Sequence, residues 1–121
     1  MDRSKLFVKE RFGTGLIQDM PKQLDTDLIA SYIEMTRFPS PPGEMYKETN
    51  SYGGLVRAAD FIGQLGDPDY LRKTPALFYE FHELGITEKL GYNSPNDMRK
   101  NYASFYWNSV DAYIQDALVY L

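Results

Sequence analysis

Gly53-Gly54-Leu55-Val56-Arg57-Ala58-Ala59-Asp60-Phe61-Ile62-Gly63-Gln64-Leu65-Gly66-Asp67 is the stretch on which the fold turns. Leu55, Val56, Ala59, Ile62 and Leu65 recur at helical spacing, which predicts a helix with one apolar face. Ser51 is placed to cap its start and Gly66 to stop it. Asp60 interrupts the pattern at the edge of that face, between Ala59 and Phe61. A carboxylate beside a packed seam costs free energy unless it is paired, hydrogen-bonded or bound to a metal. Two readings are open: a solvated or capped side chain at the helix edge, or a ligand aimed into a cleft between helices.

Toward the N-terminus, Ser4 to Arg11 reads as a short helix or the end of a longer one, broken by Phe12-Gly13-Thr14-Gly15. The segment from Leu16 to Leu24 is ambiguous, with a turn at Pro21. Asp25-Thr26-Asp27 opens a clearer helix, since Asp25 or Thr26 can cap it and acids favour the positive end of the helix dipole. Leu28, Ile29, Tyr32, Ile33 and Met35 form its stripe, and Pro39 is expected to end it. Capping also explains the Asp-x-Asp spacing at 25–27, which could otherwise be read as a metal site. Between Phe38 and Asn50 lie three prolines and Gly43. A loop of this length is expected to be a functional lid or a disordered connection.

Toward the C-terminus, Asp67-Pro68-Asp69 reads as a cap with Pro at the first helical position. Asp60 and Asp67 would lie about 10 Å apart on one helix, too far to share a metal ion. Thr74-Pro75 predicts a second start, with Leu77, Phe78, Phe81 and Leu84 facing a core and Gly85 closing the helix. Thr87 to Gly91 reads as a turn, and Ser94-Pro95-Asn96-Asp97 as a helix start. From Tyr102 to Leu121 apolar and aromatic residues recur at three and four, which predicts one long helix. It has no stop signal, so it is expected to be truncated or covered by something else. No stretch of more than a few residues alternates with period two. The expected fold is all-α, a compact bundle of about five helices in a single domain of 121 residues.

Net charge is −4, and no run of Lys and Arg exceeds two, which argues against a nucleic-acid partner. No 18-residue apolar stretch suits a membrane span, and the N-terminus lacks a signal-peptide core. Cysteine is absent, which excludes disulfides, thiolate zinc sites and cysteine nucleophiles, and a cytoplasmic setting is expected. Ten Tyr and seven Phe suit a packed helical core or an oligomer interface. The chain has no Gly-x-Ser-x-Gly elbow, and Gly13-Thr14-Gly15 lacks the partners of a phosphate loop. His82 is the one histidine, and Ile86 stands where a zincin would need its second.

Arg57-Ala58-Ala59-Asp60, followed by Phe-Ile-Gly-Gln-Leu-Gly-Asp-Pro, resembles the last metal-ligand segment of the HD (His-Asp) metal-dependent phosphohydrolases. Ile33 to Pro39 resembles the helix end and loop that precede it in some members, and Tyr70 to Phe81 the tail of one bacterial subgroup. The likeness covers most of the chain. That family builds its site from an early His, a His-Asp pair and a late Asp. Here no His precedes Asp60 and no His-Asp pair occurs, so only the late Asp has a counterpart.

The resemblance implies the C-terminal portion of such an enzyme. Asp60 would be its last metal ligand, Arg57 a phosphate-binding side chain, and a divalent metal the cofactor of the intact site. The isolated chain is expected to hold no metal tightly and to have no catalytic residue of its own. The alternative is a non-catalytic, self-associating helical module. The expected partners are further copies of the chain or an N-terminal portion of the same protein.

Overall fold

The computed structural model describes residues 2–13 and 24–121, and no strand occurs among them. The expected turns at Thr14-Gly15 and Pro21 lie outside the described residues. The fold is all-helical. Helix α1 (Asp2–Phe12) buries no side chain fully. It is fastened by charges to α2 (Thr26–Met35), Lys5 to Glu34 and Lys9 to Asp27, and to the residue just beyond its C-cap, Arg37 to Asp2. Asp25 caps α2, accepting from the Asp27 and Leu28 amides at 3.1 and 2.9 Å. The helix stops at Met35, ahead of Pro39, with Thr36 as its C-cap.

Residues 38–50 are ordered. They contain the short helix α3 (Glu44–Lys47) and lie against the start of α4 (Tyr52–Leu65). Ser51 caps α4 through the Gly54 amide at 3.0 Å, and Gly66 stops it. Gly54 is required where it stands: a Cβ there would lie 2.3 Å from the Thr49 carbonyl oxygen. The face α4 buries differs from the expected one. Gly54, Arg57 and Ala58 are buried, whereas Val56 and Ala59 are exposed. The helix is turned by about one residue, 100°, because the loop and the C-terminal segment cover it from a side that its own apolar spacing does not reveal.

Helix α5 (Tyr70–Glu83) starts just after Asp67-Pro68-Asp69 and runs through the expected second start at Thr74, with Pro75 inside it. A turn at Asp67 launches it: the Asp69 amide donates to Asp67 Oδ1 at 2.8 Å and the Tyr70 amide to the Asp67 carbonyl at 2.9 Å. Pro68 therefore sits in the turn, and Pro75 costs the helix one backbone bond, the one its missing N–H would have made four residues back. Gly85, at φ +67°, ends α5 and launches α6 (Ile86–Leu90), a helix where only a turn was expected. Helix α7 (Pro95–Lys100) starts on Ser94, whose hydroxyl accepts from the Asp97 amide at 3.2 Å.

The expected single C-terminal helix is broken into α8 (Tyr102–Phe105), a π-helical turn (Tyr106–Val110), α9 (Asp111–Ile114) and a 3₁₀ segment (Gln115–Tyr120). The wide turn shifts the phase of the apolar stripe. Val110, Ile114 and Ala117 then close on Ala58 to form the core, with Leu55, Phe61 and Ile62 packed around them. Two groups of helices result. One holds α1, α2, α4 and the C-terminal segment; the other holds α5, α6 and α7. The bundle has more and shorter elements than five helices.

Candidate functional site

Helix α4 packs on α2 and the C-terminal segment, while α5 packs on α6 and α7. Between the two groups opens a cleft of about 680 Å³, within the range of small-molecule pockets. The end of α2 contributes Thr36 and Arg37, α4 contributes Asp60, Phe61, Gln64 and Leu65, and α5 contributes Tyr70, Leu77, Glu80, Phe81 and Leu84. Lys89, Tyr92, Met98, Tyr102 and Phe105 complete the far wall.

Phe38 is the hub of its aromatic floor. Its ring stacks on Phe81 at 5.8 Å and meets Phe61 and Phe105 edge-on at 6.2 and 5.6 Å. Tyr70 and Tyr102 lie 5.0 Å apart, and the Tyr102 hydroxyl donates to the Leu65 carbonyl at 2.9 Å. Burial raises the Tyr70 and Tyr92 phenols above their ordinary value, so both stay protonated well past neutral pH.

Asp60 is half-buried on the cleft wall, and its Oδ1 accepts from the Gln64 side-chain amide, one turn on, at 3.0 Å. Arg57, the phosphate-binding side chain that the resemblance implies, lies apart from the cleft. Its side chain is 1% exposed and outside the cleft lining. It donates to the Tyr46 carbonyl at 2.6 Å and the Glu48 carbonyl at 3.3 Å, and lies 4.0 Å over the Tyr113 ring. Burial depresses its pKa, and among the described residues Nε has no hydrogen-bond partner. A guanidinium spent this way holds the loop to the helix. Arg57 and Asp60 are close in sequence, but the structure does not bring them together.

His82 is exposed, stacked on Phe78, with Nδ1 3.1 Å from Thr87 Oγ1. It does not line the cleft. Asp67 is held by Lys73 and by its own turn. A divalent cation needs several oxygen or nitrogen donors converging on one point. Among the described residues no three His, Cys, Asp or Glu side chains converge in this way, and the two carboxylates on the cleft, Asp60 and Glu80, do not by themselves fit a metal centre. Sequence reasoning missed Glu80, Lys89 and Tyr92 as cleft residues. No spacing or motif in the sequence pointed to them.

No helix among the described residues is long and apolar enough to cross a membrane. No curated protein and no solved structure matches the chain. The model of the Npun_R2479-like family matches residues 1–121, the full length given, and the chain belongs to that family.

Proposed function

We propose that this chain is the C-terminal, Asp60-bearing helical portion of an HD-type metal-dependent phosphohydrolase, without turnover by itself. The observation that carries this reading is the seat of Asp60: half-buried on a cleft wall, with one carboxylate oxygen steadied by Gln64. In a complete site of that class a divalent metal activates water and polarises phosphoryl oxygens. The ligands beyond Asp60 would come from an N-terminal portion of the same protein, and no step through the metal belongs to the described residues. The test has two parts. The reading frame upstream of Met1 should encode a His and a His-Asp pair, and a frame without them would overturn the proposal. The chain alone, assayed on a generic phosphomonoester with manganese, nickel or magnesium, should give no turnover. Turnover abolished by Asp60→Ala would show that a site assembles without the other ligands.

A second reading, a non-catalytic self-associating module, is favoured by one observation. Val119, Tyr120 and Leu121 are 80, 72 and 86% exposed, and Trp107 is also exposed. Exposed apolar side chains, where they form a patch, mark interaction sites on soluble proteins.

A further inference from the structure

We propose that the cleft between α4 and α5 binds a small organic cation with an aromatic body, an arylalkylamine or its quaternary ammonium analogue. This does not rest on the phosphohydrolase reading, because it uses no metal. Phe38 contacts Phe61, Phe81 and Phe105, and all four rings are only half-buried and line the cleft. Four rings packed for stability alone would close on themselves. Here they leave apolar surface facing a space large enough for a ligand. Tyr70 and Tyr102 extend the aromatic wall. Aromatic ring faces carry negative charge density, so a ring face turned to the cavity would attract a cation.

The fixed charges on the cleft point the same way. Arg37 is spent: Nε and Nη2 donate to the two Glu34 carboxylate oxygens, and Nη2 also reaches Asp2. That leaves Asp60 and Glu80 against Lys89 as the remaining charges on the lining. Two carboxylates against one ammonium, over an aromatic floor, favour a positive ligand over a negative one. The volume, about 680 Å³, accommodates a phenyl ring with its chain and head group.

Three probes with the same ring and different charge test this on the full chain: 2-phenylethylamine, 2-phenylethanol and phenylacetate, titrated calorimetrically at pH 7 with EDTA present. EDTA keeps the result separate from any metal site. The amine should bind at least tenfold more tightly than phenylacetate. In the Asp60→Asn, Glu80→Gln double variant that preference should shrink at least fivefold, with binding of the alcohol unchanged. Phe81→Leu keeps the bulk and removes the ring, and should weaken the amine more than the alcohol; a thermal melt of each variant checks that it is folded. The proposal is overturned by equal or tighter binding of phenylacetate, by no measurable amine binding at millimolar concentration, or by an amine preference that survives the double variant.

Discussion

Arg57 shows how a single side chain fixes a long connection. Its guanidinium is buried beneath residues 38–50 and donates to the Tyr46 and Glu48 carbonyls. Truncating it removes both bonds and opens a void. Arg57→Ala should therefore destabilise the fold by about 3 kcal/mol in urea denaturation. Arg57→Lys should recover less than half of that, since one ammonium cannot serve both carbonyls as a planar fork does. Full stability in either variant would show that the loop is held by other contacts. Glu34 is a second keystone. Hydrogen bonds from Arg37 and Lys5 hold its carboxyl at about 2, below its ordinary 4.5. A lowered folded-state pKa gives stability that is fully present above the unfolded value and is lost as pH falls from about 4.5 through 2. The loss should be on the order of 2 kcal/mol, after allowance for the partly exposed partners. Stability measured against pH should fall across this window in the wild type and lose much of its slope there in Glu34→Gln.

At the scale of elements, α4 offers a paired test. Gly54 and Gly63 lie in the same helix, but a Cβ at Gly54 would collide with the Thr49 backbone and one at Gly63 meets nothing within 4 Å. Gly54→Ala should cost about 2 kcal/mol, because the obstacle is backbone that cannot rotate away. Gly63→Ala should stabilise by about 0.5–1 kcal/mol, the helix-propensity gain at an open site. Melting temperatures of the two variants should move in opposite directions, and a shift of the same sign would refute the packing described. The caps were legible in sequence. Asp25, Ser51 and Ser94 all accept the amide bonds their positions called for, and Gly66 and Gly85 end their helices. Pro75 was misleading because the turn at Asp67 starts α5 upstream and the helix tolerates one missing bond.

For the whole molecule, the division into two helical groups is what creates the cleft. Helices α4 and α5 follow one another in sequence but pack on different partners, and the space between them is lined rather than filled. The C-terminal segment closes the core on one side and leaves apolar side chains in solvent on the other. If self-association is the chain's role, light scattering at micromolar concentration should give twice 14.0 kDa. Val119→Glu or Tyr120→Glu should return it to the monomer without unfolding. Tyr113 is unsuitable for this test, because it stacks on Phe61 and carries Arg57 over its ring. A 14.0 kDa monomer in the wild type would remove the self-association reading.

The all-helical class and the capped helix starts were set by the sequence alone. Both depend on local events: apolar spacing within a few turns, and side chains bonding to amides two or three residues away. The face that α4 buries, the break after Phe105 and the opposite fates of Arg57 and Asp60 were decided only by the tertiary structure. Arg57 and Asp60 differ by one turn of one helix. One is sealed beneath a loop from earlier in the chain, and the other stands on a cleft whose far wall comes from later in it. Burial depends on those distant partners, and no spacing within 53–67 carries that information.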